Sequence, residues 1–391
     1  MLKFSDQKKG KIGLLVPQSK FIAQAGGSFL NGVQLAFTLL GDQINEDNCE
    51  LIVEGIDDGS IANTKQKLEK LLLNDKVDVV AALIAYQVAV EVTYLFEDSN
   101  KILLLLNLGG HMMPDEVRKP YVFSHSLQSW QHNYLMGKWS AQHLGKRVLH
   151  FYSLYDAGFD NLAAFNFGFQ QEGGEIVANQ VTHVRTENHD FQQDFKNVNW
   201  DEFDWIMCHY VGDKTVEFIK AAKAANPTIQ IGLSPLAIDR SIEQVAGDIN
   251  FTVHGALIGI PGEPRPELEQ FQQKCEQYFS GNGSPIELLG YESGQIIIAL
   301  FERIFLERIP FDEQLGFMRT YEFDSPRGPI KMNTDRQITE SELVVHEISL
   351  DKEGLSFRKV HSVEGIDEDN ADLAYHKNLF KSSWLHPYGF G

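Results

Sequence analysis

The chain is poor in cysteine. Cys49, Cys208 and Cys275 are the only three in 391 residues, and they lie far apart. That set excludes a disulfide framework and a zinc site. It leaves free thiols in or near a core as the plain reading, with a single bridge as the alternative. Long apolar runs are missing too: none approaches the roughly 20 residues that span a bilayer, so direct membrane insertion is not expected. Basic residues are scarce, 34 Lys and Arg against 54 Asp and Glu, for a net charge of −20. A phosphate backbone or an anionic lipid surface needs a basic stripe, so neither nucleic acid nor such a membrane is an expected partner. The opening residues Met1 to Gly10 hold no apolar segment and no small-residue cleavage site. Either an export signal was removed ahead of them, giving a periplasmic or extracellular protein, or the protein works in the cytoplasm.

Catalytic signatures are absent as well. There is no Gly-x-Ser-x-Gly elbow, Walker A loop, His-Glu-x-x-His or Cys-x-x-Cys. Thirteen histidines are scattered without ligand spacing; His183 and His189, six apart, match no metal pattern. No metal or cofactor is implied, and the reading is not an enzyme.

What is present is a long alternation of strand and helix patterns. Lys11 to Val16, Glu50 to Ile56, Val77 to Ile84 and Lys101 to Leu106 each lead into an amphipathic stretch. The near-continuous apolar run at Lys101 to Leu106 suits a parallel strand buried on both faces. Gly26-Gly27 fits a turn opening a helix over Ser28 to Leu40. Asp57, Asp58 and Ser60 stand where an N-cap should, before Ile61. The alternation restarts after Tyr121 to Ser124 and runs through strands at 147–152, 175–181, 205–210, 229–233 and 253–260. Two long helices follow, Glu267 to Tyr278 and Pro285 to Ile304. The expectation is an α/β fold of two doubly wound parallel-sheet lobes, with short joints near residues 124, 253 and 325. The 43% hydrophobic content over 391 residues supports two cores of ordinary size.

In doubly wound sheets, ligands bind beyond the carboxyl ends of the strands. The strand-end residues are Ser19 and Phe21, then Tyr86 and Gln87, then Asn107, Leu108, Gly109, Gly110 and His111. The second half contributes Asp156, His209, Tyr210, Ser234 and Pro235. These suit a cleft with aromatic walls and directed hydrogen bonds. Tyr86 and Tyr210 are expected as walls that donate hydroxyl hydrogen bonds. The Gly109 and Gly110 N–H groups are expected at a ligand oxygen. Asn107, His111 and His209 are expected to fix orientation, and Ser19 and Phe21 to form a rim.

Several segments resemble a known family. Ile12 to Val16 with Gly32-Val-Gln-Leu-Ala36 resembles the opening strand and helix of the type 1 periplasmic solute-binding proteins. These are the leucine/isoleucine/valine-binding and amide- or urea-binding receptors. Val77 to Ala81 is similar to the family's third strand. Tyr155-Asp-Ala-Gly-Phe-Asp160, ahead of a helix ending at Gly173-Gly174, is similar to its aspartate and glycine turn. Gly290 to Ser293 opens its last long helix, and the turn Phe323 to Lys331, leading to a strand at Glu342 to Ser349, resembles its final crossover. The resemblance implies interwoven lobes joined by three crossovers. Residues 11–123 with 254–325 form one lobe and 124–253 with 326–350 the other, and 351–391 is a C-terminal extension docked on the body. It implies capture of a small molecule by hinge closure and delivery to ABC permease subunits, by a monomer or homodimer. An alternative on the same fold is a cytoplasmic regulator of the amide-sensor type that binds a protein partner. The chain departs from the amino-acid receptors at the ligand. Ala82 to Tyr86 replaces their serine loop, Ala157 their tyrosine, and Pro235 stands where they hold an acidic residue. Both charges of a zwitterion would be poorly compensated, so an amide, a urea-like compound, an aromatic acid or a small peptide is at least as well matched.

Overall fold

The computed structural model describes residues 9–18, 25–153, 159–182, 189–237, 250–281, 283–368 and 373. The first sheet has five parallel strands in the order β2-β1-β3-β4-β5: β1 (Gly10–Val16), β2 (Cys49–Gly55), β3 (Val79–Leu83), β4 (Leu103–Asn107) and β5 (Val122–Ser126). Every residue of β3, β4 and β5 is buried, as expected of strands covered on both faces. The edge strand β2 instead leaves Leu51 42% and Val53 44% exposed.

Helix α1 (Ala25–Leu40), α2 (Ile61–Glu69) and the short α3 (Tyr86–Val90) follow β1, β2 and β3. Gly26 and Gly27 lie inside the first turn of α1 rather than in a turn ahead of it. Ser60 caps α2 through the Asn63 N–H. The chain then enters the second lobe through α4 (Ser129–His143).

The second sheet has seven strands in the order β15-β14-β10-β9-β8-β6-β7. They are β6 (Arg147–Ser153), β7 (Glu175–Thr182), β8 (Trp205–His209), β9 (Gln230–Leu233), β10 (Phe251–Gly255), β14 (Leu343–Asp351) and β15 (Gly354–Val363). Strands β6 to β10 are mutually parallel, whereas β14 and β15 add antiparallel. Helices α5 (Phe159–Gln171) and α6 (Asp213–Ala225) belong to this lobe. The chain returns to the first lobe with α7 (Pro266–Phe279), α8 (Pro285–Phe301) and α9 (Phe311–Arg319). A separate antiparallel sheet of β11 (Glu322–Ser325), β12 (Gly328–Met332) and β13 (Thr339–Ser341) lies at the last crossing.

Two architectural expectations need correction. The joints fall later than the alternation implied: β5 keeps residues up to Ser126 in the first sheet, and β10 keeps Val253 to Gly255 in the second. The stretch 354–363 is not an extension but the edge strand β15, paired along β14. Its residues are mostly half-buried, so it carries little of the apolar alternation that marks a strand in sequence.

Candidate functional site

At the carboxyl ends of β3 and β4 the two following loops meet. The Gln87 amide donates to His111 Nε2 at 2.7 Å. From the other lobe, the first turn of α5 brings Asp160 Oδ2 to 3.1 Å from the same His111 nitrogen. Both side chains are largely shielded, 6% exposed for His111 and 13% for Asp160. Burial pushes His111 down to about 4 and Asp160 up to about 7, the directions in which a low-dielectric site moves a base and an acid. A neutral imidazole that accepts from Gln87 cannot also donate to Asp160 from the same nitrogen. Its single lone pair there is already used by Gln87, so Gln87 and Asp160 compete for one nitrogen across the lobe boundary.

Asp160 was missed at the sequence level. Asp156, four residues earlier in the same motif and at the strand end, lies outside the described residues, as do Ser19 and Phe21. The available signal was an acidic residue in the first turn of a helix that follows a strand end.

Other expected roles change. The Tyr86 hydroxyl is 2.7 Å from Ser124 Oγ and its ring is buried, so it faces the first crossover rather than a ligand; burial raises it to about 12. The Gly109 N–H is committed to Asn107 Oδ1 at 2.9 Å, which also engages the Asn107 side chain. The Leu108 and Gly109 carbonyls accept from the Ser129 and Trp130 N–H groups, stitching this loop to the start of α4. Gly109 has φ +75°, and a Cβ there would sit 2.7 Å from Gln128 N, so only glycine fits. Leu108 and Gly110 are buried beside it.

In the second lobe, His209 packs inward, 5.2 Å from His150 and 6.1 Å from Phe165 between ring centroids. Tyr210 packs 4.8 Å from Phe191 and 5.4 Å from Phe218. Both are fully buried in the lobe's interior, so the roles of cleft wall and orienting group do not fit them. Ser234 and Pro235 brace the second crossover: the Ser234 N–H donates to the Cys208 carbonyl, and the Pro235 carbonyl accepts from Ile258 N–H at 3.0 Å.

The crossovers converge on one carboxylate. Glu292 of α8 is fully buried. It accepts from Arg327 Nε at 2.8 Å and Nη2 at 3.0 Å, and from the Ser325 hydroxyl. His125 Nε2, on β5, lies 3.1 Å from it, and His125 Nδ1 is 2.9 Å from Thr339 Oγ1. Arg327 sits at the tip of the β11–β12 hairpin and also donates to Ser341 Oγ and the Ser126 carbonyl. Gln128 Oε1 accepts from both the N–H and the hydroxyl of Ser341. Burial alone would raise the Glu292 carboxyl, but Arg327 and His125 outweigh it and hold it at about 2. The Pro-Arg-Gly-Pro turn is thus more than a turn: it presents the guanidinium that ties Glu292, Ser341 and Ser126 together.

Two α/β lobes, each built on a sheet of parallel strands, are joined by crossings that meet at a buried ion pair. Comparison with known proteins gives the family. Residues 9–353 match the sequence profile of the periplasmic binding proteins, and the chain belongs to that family. A relative, the Leu/Ile/Val-binding protein homolog 6 of Brucella suis biovar 1 (strain 1330), is 20% identical over 362 residues, covering 89% of this chain and 90% of that protein. An ABC transporter substrate-binding protein from Sphaerobacter thermophilus superposes with a TM-score of 0.76 at 22% identity, over 91% of this chain and 98% of that one. A solute-binding protein of an ABC transporter from Rhodopseudomonas palustris BisB5, solved in complex with 3,4-dihydroxybenzoic acid, gives 0.69 at 20% identity, over 92% and 98%. A leucine-binding protein from Thermotoga maritima gives 0.62 at 16%, over 92% and 99%. The fold is that of the type 1 periplasmic binding proteins.

Proposed function

We propose that this receptor captures a small polar organic solute between its lobes, without chemistry, outside the cytoplasmic membrane, and releases it to the permease of an ATP-driven importer. The observation that carries the reading is the His111–Asp160 contact. It joins a strand-end loop of one lobe to a helix start of the other, at the position where a solute would be gripped from both sides. Gln87 and His111 stand on the loops where amino-acid receptors of the family carry small hydroxylated residues. Together with the aromatic-acid and amino-acid ligands of the structural relatives, this leaves aromatic acids, aliphatic acids, amides and amino acids as the panel to test.

Thermal denaturation of the purified chain against that panel, followed by calorimetry and small-angle scattering on any hit, tests the proposal. A solute at 100 times its Kd adds about 2.7 kcal/mol to stability, and closure lowers the radius of gyration. Binding of any panel member with compaction supports the receptor reading. Turnover of a bound compound would overturn the claim that it acts without chemistry.

A further inference from the structure

Beyond β15 the chain turns back over the seam between the lobes. The family profile stops at residue 353, ahead of this stretch. Residues 366–368 are held from both sides. Arg336 Nη1 donates to the Ile366 carbonyl at 3.0 Å and stands 3.9 Å from Glu368 Oε2. Arg336 belongs to the turn between β12 and β13, and that turn is joined to β5 of the first sheet. The Ser124 N–H donates to the Gln337 carbonyl at 2.8 Å, and Ser124 forms a parallel bridge with Ile338. From the second lobe, the Gln131 amide on α4 donates to Glu368 Oε1. Glu368 is 3% exposed, and a carboxyl group so shielded needs such partners.

Leu373 makes the other attachment. It is buried in one apolar cluster with Met112, Trp130, Tyr134 and Ala164. Met112 follows His111 on the loop after β4. Trp130 and Tyr134 stand on α4, stacked 5.4 Å apart between ring centroids. Ala164 lies one turn beyond Asp160 on α5. The lobe boundary therefore cuts through this cluster, immediately next to the His111–Asp160 contact. Ile366 packs against the same cluster and against the second lobe's core around Met136 and Val345.

We propose that the segment carrying Ile366, Glu368 and Leu373 is a strap that holds the two lobes in their closed arrangement, so that the lobes part only when it lets go of one of them. Met112 and Arg336 move with the first sheet; Trp130, Gln131 and Ala164 move with the second. Leu373 cannot stay against both sets once they rotate apart, so opening returns apolar surface to water. Glu368 must likewise give up either Gln131 or Arg336. Ile366 is anchored in the second lobe's core, so the first lobe is the one released. Hinge rotation itself needs only the crossings between the lobes; the strap adds a cost to opening that is present with no solute bound. On the receptor reading above, it slows entry and escape of the solute alike, but the strap itself rests on the two-lobed fold and not on any particular solute.

The test therefore needs no solute. Glu368→Ala, Leu373→Ala and the double variant are compared with the unaltered chain, all at full length, by small-angle scattering and by hydrogen exchange read by mass spectrometry. The expected result for the double variant is a larger radius of gyration, with amide exchange in residues 107–113 and 159–165 faster by at least about tenfold. Exchange in β6 and β8 should stay as it is. If exchange rises equally in the core strands of both lobes, the segment merely stabilises the fold and the proposal falls. If size and seam exchange are both unchanged, the lobes hold together without it and the proposal falls as well. Should the double variant fail to fold, Leu373→Ala alone carries the same expectation at smaller amplitude. None of these outcomes bears on the receptor reading, which the solute panel decides separately.

Discussion

Glu292 keeps its charge although no part of it reaches solvent. A buried carboxylate is tolerable only with its partners in place, and removing one side leaves the other stranded. Glu292→Gln should therefore destabilise the protein by about 3–5 kcal/mol, measured by urea denaturation at pH 7, because the Arg327 guanidinium would stay buried beside a neutral amide. The histidines set a second behaviour. Burial pushes His111 to about 4 and His132 and His150 to about 3, and it lowers His125 and His209 as well. Between those values and the ordinary one near 6.5, the unfolded chain binds more protons than the folded one. Stability is thus complete above about pH 6.5 and is lost as pH falls toward the folded values, by up to about 1.4 kcal/mol per pH unit for each ring. Urea midpoints measured from pH 7 to 4 should fall steeply. His150→Leu should make that fall shallower by about one proton, and an unchanged slope would show that His150 is protonated in the folded state. In sequence, these rings read as scattered histidines. Their burial follows from which helix lies over which strand, and spacing along one chain does not encode that.

Each lobe is held by a helix crossing in which glycines face each other. A Cβ on Gly290 of α8 would stand 2.0 Å from the Phe29 carbonyl oxygen of α1, and one on Gly32 would stand 2.0 Å from the Glu287 oxygen. In the other lobe, Gly137 of α4 and Gly168 of α5 meet opposing carbonyl oxygens at 2.2 and 2.3 Å. Gly290→Ala should cost at least about 1–3 kcal/mol, since the obstructing atoms are backbone and cannot turn aside. Gly27→Ala is the control. It sits in the same helix set with open space around it, and it should stabilise by about 0.5–1 kcal/mol. Melting temperatures of the two variants should move in opposite directions. At this scale much was legible. The buried runs of β3 and β4, the Ser60 cap and both long helices declare themselves through periodicity and end signals. Ser284 and Glu287 form the capping box that starts α8. The short strands β11 to β13 and the edge strand β15 did not show, because their pairing partners, rather than their own composition, make them strands.

At the scale of the whole molecule, the lobes are interwoven. The first lobe's α1 packs on α8, which is separated from it by most of the second lobe, and the second sheet takes β14 and β15 from beyond α8. Alternation along the chain revealed two lobes and where binding loops should gather. It could not reveal the exact joints, because a strand at a boundary has the same composition whichever sheet it enters. The face-to-face meeting of His111 and Asp160 was equally hidden, since it depends on the closing of one lobe over the other. A chain stopped after residue 280 would lack α8, β14 and β15. It should show no cooperative unfolding transition and should be digested rapidly by a nonspecific protease, whereas a protected fragment of either lobe would show that one folds alone. The same weave bears on synthesis. A ribosome that has made two-thirds of this polypeptide has finished neither half of it, so the growing chain stays threadable until its last quarter emerges, and then both halves complete within a few dozen residues of each other.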